Sequence, residues 1–450
     1  MSDPSPRAIV VSVQLPDVSD AEHDASLREL ERLAKTLGLL VIGRLTQKRS
    51  ALAPVAVIGE GKLKELAART GGTGVVPSGA TKKKRKIDEP EPEEEEEEAE
   101  SEDGEPAERA SVVLVDHDLS PTQARNLERA TGATVLDRTS VILSIFQRHA
   151  RTREAKLQVE IARLVYEVPR LREGGGGADR QRGGIGGKGA GESGLELDRR
   201  RVRDRIAELR EELKSIAGEA GVRRARRAEI PTLALVGYTN AGKSSWMRAL
   251  TGGEAYVADK LFATLDTTVR ALVPETRPRI LVSDTVGFIK KLPHDLVASF
   301  RSTLEEAREA SLLVHVADAS DPSFREHLAL TREVLRELDA GDAPSLLLLN
   351  KIDRVSDEER AALTAELPDA MLVSARSPED VRAVHARVVS FFEEEMEDAA
   401  LSIPWAKHAL VAKVHESAKV LSETHTDEGT VIEARARPEV IARLRATLES

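Results

Sequence analysis

Cysteine is absent from this 450-residue sequence. Disulfides and thiolate-bound metals are therefore excluded. Long apolar runs are missing too. No stretch approaches the ~18 residues needed to cross a bilayer, and the longest candidates, such as residues 346–349, are the size of buried strands. The opening residues Met1, Ser2, Asp3 and Pro4 carry neither the basic flank nor the apolar core of an export signal. A lipidation motif and a basic amphipathic anchor are likewise lacking. A cytoplasmic protein with no membrane span is expected.

What is present suffices for globular folding. Apolar residues make up 40% of the chain, and its length exceeds what one core usually holds, so two to four domains are expected. The net charge of −11 hides a polarised distribution. Residues 88–108 hold fourteen acidic groups and no basic ones; without them the balance is +3. Residues 148–227 instead carry 21 Lys or Arg against 13 Asp or Glu. One basic arm can therefore meet a polyanion, although a solvated helix face accounts for such charge equally well.

Periodicity divides the chain. Residues 8–15 read as a strand, 22–37 as a helix and 39–42 as a second strand, with short buried strands at 55–58 and 112–115. This alternation predicts a small α/β domain with a mostly parallel sheet over residues 1–150. It is interrupted at 78–110 by a polar, Pro/Glu-rich tract that cannot bury a core and is read as a disordered acidic insertion. Residues 152–168 and 195–216 show apolar stripes near period 3.6: Leu157, Ile161, Leu164 and Val165 on one, Leu197, Val202, Ile206, Leu209 and Leu213 on the other. Between them, residues 174–194 contain eleven glycines. An antiparallel helical hairpin with a Gly-rich tip is expected over 151–227; a flexible linker is the plainer alternative.

From residue 232 the pattern becomes strand, loop, helix, repeated, with buried strands at 232–236, 280–283, 312–316, 345–349 and 370–373. That predicts a doubly wound α/β sheet over 228–395. A small α+β appendage is expected at 396–450, with strands at 409–414 and 431–434 and a helix from Pro438.

The first of these strands runs into Gly237, Tyr238, Thr239, Asn240, Ala241, Gly242, Lys243 and Ser244. This is a GxxxxGKS phosphate loop between a strand and a helix. Its backbone N–H groups surround phosphate oxygens, Lys243 reaches the β and γ phosphates, and the Ser244 hydroxyl completes a Mg2+ shell. Asn350, Lys351, Ile352 and Asp353 follow a later strand and choose the base. A carboxylate at Asp353 accepts from N1–H and the exocyclic amino group of guanine. Adenine would leave that charge unpaired, at a cost of several kcal/mol. Asp284, Thr285, Val286 and Gly287 lie between, with Asp284 holding Mg2+ through water and the Gly287 N–H meeting the γ phosphate. Ser374, Ala375 and Arg376 complete the base pocket. Phe262, Ala263, Thr264, Leu265 and Asp266 form the candidate first switch; Thr264 can offer its hydroxyl to Mg2+, with Thr267 and Thr268 as competitors on spacing alone.

Taken together these motifs resemble the HflX family of GTPases, over nearly the whole chain. Outside the nucleotide site the likeness rests on Val135-Leu136-Asp137-Arg138-Thr139 and on residues 150–160, whose run Ala-Arg-Thr-Arg-Glu-Ala-Lys-Leu-Gln-Val-Glu ordinary small GTPases lack. It also rests on Gly183-Gly184-Ile185-Gly186, on 189–192, and on Leu195 through Arg200. The resemblance implies a P-loop GTPase that hydrolyses GTP, with Thr264 as the Mg2+-binding switch threonine. It implies binding to the large ribosomal subunit and its rRNA, and splitting or rescue of stalled ribosomes, by a protein expected to act as a monomer. The insertion at 78–110, Gly174 to Gly177 and Arg182 in the tip, and Asp266-Thr267-Thr268 in place of Asp-Pro-Thr depart from the family pattern.

Many GTPases place a glutamine after DxxG to orient water. Here Phe288 and Ile289 follow Gly287, so slow intrinsic turnover is expected. Asn240 matches a position that helps bind K+ in related GTPases, and it joins Lys243 as a candidate catalytic residue. The alternative reading is an RNA-binding scaffold whose nucleotide is structural.

Overall fold

The computed structural model describes residues 5–76, 109–170, 194–227, 230–252, 261–262, 268–290 and 306–449. Nearly all of the expected acidic insertion, the Gly-rich tip short of Gly194, residues 263–266 of the first switch and the competing Thr267 lie outside them. The chain forms two units, Met1–Ile145 and Phe146–Ser450.

In the first unit, four parallel strands lie in the order β2-β1-β3-β4: β1 Arg7–Gln14, β2 Leu40–Lys48, β3 Val112–Val115 and β4 Thr134–Asp137. Helices α1 (Asp20–Thr36), α2 (Glu60–Thr70) and α3 (Pro121–Thr131) connect them, and α4 (Arg138–His149) begins directly after β4. The helix starts are encoded locally. Ser19 accepts from the Glu22 N–H while the Glu22 carboxylate returns the contact, and Ser120 pairs with Gln123 in the same way ahead of Pro121.

Residues 55–58 are not the expected strand. Val57 has φ 70°, and its carbonyl and N–H both pair with Ala53. The run is apolar because Ala56, Val57 and Ile58 are buried, but a left-handed residue cannot continue a ladder. β2 runs six residues further than expected because it alternates between half-buried and exposed positions, which an apolar-run reading truncates.

The second unit begins with α5 (Arg153–Glu167) and α6 (Gly194–Arg227). They run antiparallel: Arg153 pairs with Glu212 at 2.7 Å and Arg205 with Glu160 at 3.1 Å. Leu157, Ile161, Ile206 and Leu209 form the shared core, with Leu164, Val165, Val202 and Leu213 around it. Leu197 does not join that stripe and is exposed. α6 passes the expected end at residue 216 because Gly218 lowers helix propensity by only ~1 kcal/mol, too little to break it.

The third sheet element set is a six-stranded sheet ordered β10-β9-β8-β5-β7-β6. Its strands are β5 Thr232–Val236, β6 Thr268–Ala271, β7 Leu281–Asp284, β8 Leu312–Asp318, β9 Ser345–Asn350 and β10 Met371–Leu372. Only β6, paired with β7, is antiparallel. The sequence reading missed β6, whose four residues are all half-buried and make no apolar run. Between the strands lie α7 (Lys243–Thr251), α8 (Phe324–Glu337), α9 (Asp357–Glu366) and α10 (Pro378–Glu394). Apolar side chains fill both faces. Leu233, Leu235, Trp246, Val314 and Val388 pack on one, and Ala234, Val236, Leu313, Phe288 and Leu335 on the other. Chain order reverses at β5, so the carboxyl edge beside it is where a ligand crevice forms in such sheets.

Last, β11 (Glu397–Pro404), β12 (Lys419–Thr426) and β13 (Gly429–Ala436) form an antiparallel sheet ordered β11-β13-β12, with α11 (Ala409–Ser417) and α12 (Pro438–Glu449). The expected strand at 409–414 is the first part of helix α11. Leu410 and Val414, four residues apart, bury the same side, and an apolar run this short does not distinguish the two periods. Among the described residues, no helix is long and apolar enough to cross a membrane.

Candidate functional site

β5 ends at Val236, and the loop of residues 237–242 climbs from it to the first turn of α7. Two glycines make the turn possible. Gly237 has φ 147° and a Cβ there would stand 2.2 Å from the Val316 carbonyl oxygen; Gly242 has φ 107° and a Cβ would stand 2.2 Å from Asn350 Nδ2. Asn240, at φ 61°, is one of the few side chains that tolerate the left-handed region. The loop therefore leads directly into the start of α7, where the helix dipole favours an anion.

Lys243 is buried and donates from Nζ to the carbonyl oxygens of Gly237 and Tyr238, both at 2.9 Å. Burial pushes its ammonium down to about 8, against the opposing pull of the Asp284 carboxylate. A cation poised in a dry loop gains most when phosphate oxygens arrive. Ser244 Oγ donates to Asp284 Oδ2 at 2.8 Å, bringing together two hard oxygen groups of the kind Mg2+ takes. Gly287 closes tightly over the loop: a Cβ there would stand 2.8 Å from Thr239 Cα and 2.9 Å from Lys243 Nζ.

At the other end, Asn350 Nδ2 donates to the Ala241 carbonyl at 2.7 Å, and Lys351 Nζ to the Asn240 carbonyl at 2.8 Å. Asp353 is exposed, and its Oδ1 accepts from Ser374 Oγ at 2.7 Å. That hydrogen bond, aided by Arg376 and Arg354, holds the carboxyl below the usual aspartate range and keeps it ionised. Ala375 N donates to Asn350 Oδ1 at 3.2 Å and Arg376 N to Ser374 Oγ at 3.3 Å. An anion cradle thus faces a carboxylate suited to a base with adjacent donors.

Family models match in sequence order along the chain. One described as "GTP-binding GTPase N-terminal" covers residues 24–76 and 95–147, one described as "GTP-binding GTPase Middle Region" covers 149–227, and one described as "50S ribosome-binding GTPase" covers 232–351. The chain is 57% identical to GTPase HflX of Gluconacetobacter diazotrophicus, over 99% of this chain and 98% of that one. It is 36% identical to GTPase HflX of Escherichia coli, over 95% and 93% respectively. This chain belongs to the HflX family of GTPases. A solved structure of a GTP-binding protein from Sulfolobus solfataricus with GDP aligns over 86% of this chain and 98% of that one, at 23% identity and a TM-score of 0.43.

This HflX GTPase binds and hydrolyses GTP, and not every residue in its motifs turns a side chain to the nucleotide cleft. Thr285 is buried and donates to the Leu235 carbonyl at 2.7 Å. Val286 and Ile352 are buried, the latter in an apolar cluster with Leu349 and Leu363. Phe262 is buried edge-on against Phe146, ring centroids 4.6 Å apart, and its N–H donates to Thr239 Oγ1 at 3.0 Å. The side chains at these positions belong to the core. Ala263, Thr264, Leu265 and Asp266 lie outside the described residues.

Sequence reading overlooked two carboxylates of this HflX site. Asp318, the last residue of β8, accepts from Lys351 Nζ at 2.7 Å, and Asp380 accepts from the Ser374 N–H at 2.8 Å. Asp318 stands at the carboxyl end of a central strand, which is the one signal that marks it.

Proposed function

We propose that this GTPase binds the large ribosomal subunit through its rRNA in the GTP state and splits or rescues stalled ribosomes. The observation that carries this reading is the α5–α6 pair. α6 extends 34 residues, roughly 50 Å at helical rise, and Arg200, Arg201, Arg203 and Arg210 stand exposed on it. A rigid, arginine-studded rod suits an RNA surface, where neutralising phosphates releases counterions. The likeness to a family model described as a 50S ribosome-binding GTPase supports the same partner.

In this reading the chain has four parts, residues 1–150, 151–227, 228–395 and 396–450, and works in the cytoplasm as a monomer. Lys243 clamps the β and γ phosphates, and Asp353 with Lys351 selects guanine. Ser244 and Thr264 would hold Mg2+, with Asp284 beside Ser244, and the bound ion would neutralise phosphate charge. Asn240 is the residue we assign to K+. Phe288 and Ile289 are buried and cannot orient the attacking water, so the ribosome supplies what is missing.

The test is co-sedimentation of the full chain with purified large subunits in a non-hydrolysable GTP analogue and in GDP, with hydrolysis measured alongside. Binding in the analogue but not in GDP, with turnover stimulated at least tenfold, is expected. Equal pelleting in both states, or unchanged turnover, sinks the proposal.

A further inference from the structure

Phosphate binding gives the second residue of a phosphate loop no use for its side chain. Tyr238 nevertheless has a large one, and it is 7% exposed. Its ring stacks on the imidazole of His327 in α8, with centroids 3.7 Å apart and planes 9° from parallel. Its hydroxyl accepts from the Lys290 N–H at 2.8 Å. The backbone joins at two further points. Thr239 N donates to the Phe288 carbonyl at 2.7 Å, and Phe288 N donates to the Gly237 carbonyl at 3.2 Å. The Lys290 ammonium also pairs with Glu326, the neighbour of His327 on α8. Three hydrogen bonds therefore tie the phosphate loop to the segment following Gly287, and one of them is made by a side chain that α8 holds still.

Among the described residues of that segment the Lys290 ammonium is paired with Glu326, which leaves the backbone to meet the γ phosphate. Phe288 and Ile289 are buried, and Gly287 sits so close to Thr239 and Lys243 that a methyl group would not fit. Where its amide points is then a matter of where the chain on either side is held. We propose that Tyr238 is a positioning residue for GTP hydrolysis: stacked on His327, its hydroxyl anchors Lys290 and thereby sets the Gly287 amide for the γ phosphate. This rests on Gly287 being the γ-phosphate contact.

The test uses the full chain carrying Tyr238→Phe, which keeps ring and volume and deletes only the hydroxyl. Affinities for GDP and for a non-hydrolysable GTP analogue are measured with kcat, KM and the thermal midpoint. GDP affinity is expected to stay within twofold. Analogue affinity is expected to fall roughly fivefold, the factor equivalent to the net worth of one hydrogen bond, and kcat at least as much. His327→Ala, which removes the platform, moves the same readings the same way. A purely structural tyrosine would instead lower the thermal midpoint and both affinities together, and that result overturns the proposal, as does no change in any reading. The amide shift of Gly287 in the 15N-glycine-labelled chain tests the premise without a substitution. A shift between the GDP and analogue complexes that Tyr238→Phe leaves unaltered overturns the positioning role; no shift in the unsubstituted chain means that the γ-phosphate reading of Gly287 is what fails.

Discussion

Asn350 Nδ2 donates to the Ala241 carbonyl at 2.7 Å across 109 residues of sequence, while its Oδ1 accepts from Ala375 N at 3.2 Å. One buried amide thus joins the phosphate loop to both loops of the base pocket. Asn350→Ala leaves a carbonyl and an N–H without that partner, at ~1–3 kcal/mol each where they stay buried. GTP and GDP affinities should fall together, by about 10- to 100-fold, in a fluorescent-nucleotide titration. Wild-type affinity in the variant would show that the loops hold without it.

Asp353→Asn replaces a double acceptor by a donor and an acceptor. Guanine then faces an amide N–H opposite its own donors, a mismatch worth roughly 100-fold in binding. Xanthine, with a carbonyl where guanine has its amino group, gains an acceptor for that N–H. Competition between the two triphosphates should reverse in order, and a variant that still prefers GTP refutes this use of Asp353.

The pH dependence of binding follows from Lys243. Its ammonium is held at about 8 against an ordinary 10.5 because it is buried, so the nucleotide-free site loses this proton as pH rises through 8. Phosphate favours the charged form. Binding should therefore take up a proton between about pH 8 and 10.5, and affinity should weaken as pH rises in that window, by up to about tenfold per unit. The sign for folding is the reverse: the buried charge costs stability below pH 8, and the cost is relieved as pH climbs towards 10.5. Calorimetry in two buffers of different ionisation heat reads the proton directly; no uptake at pH 9 contradicts the assignment.

Gly237→Ala places a methyl group 2.2 Å from the Val316 carbonyl oxygen at φ 147°. The backbone of β8 has to shift or the loop has to reopen. A loss of roughly 2–4 kcal/mol is expected, seen as a thermal midpoint several degrees lower with or without nucleotide.

Replacing Arg200, Arg201 and Arg203 together by Ala tests the helical rod. Each is exposed, so folding should be spared. If all three meet phosphates, the slope of log affinity for large subunits against log salt drops by roughly 2–3. An unchanged slope would place the RNA contacts elsewhere.

Much of the nucleotide cleft is legible in the sequence because a backbone cradle is a local object. Glycines at 237 and 242 permit the φ values the loop needs, and a strand before it and a helix after it can be read from apolar spacing. Helix starts were read less well: the expected helix at 22–37 begins two residues late, because the Ser19 cap that sets its start at Asp20 is polar and lies outside the apolar spacing. Short apolar runs misled where burial and ladder pairing part company. Residues 56–58 are buried in a turn, and 409–414 form the first part of a helix with only Leu410 and Val414 buried. β6 was invisible because an edge strand with half-buried sides shows no run at all.

By itself the sequence determined the chemistry on offer: an ammonium, a hydroxyl, two carboxylates and an anion-binding loop, each at the end of an apolar strand. It also determined the family, since 57% identity over 99% of the chain admits one fold. Tertiary structure alone decided the pairings, Asn350 with Ala241, Lys351 with Asp318, Ser374 with Asp353 and Tyr238 with His327. Dihedral preference acts over a few residues, whereas these contacts exist only once the order β9-β8-β5-β7 has set strands distant in sequence side by side.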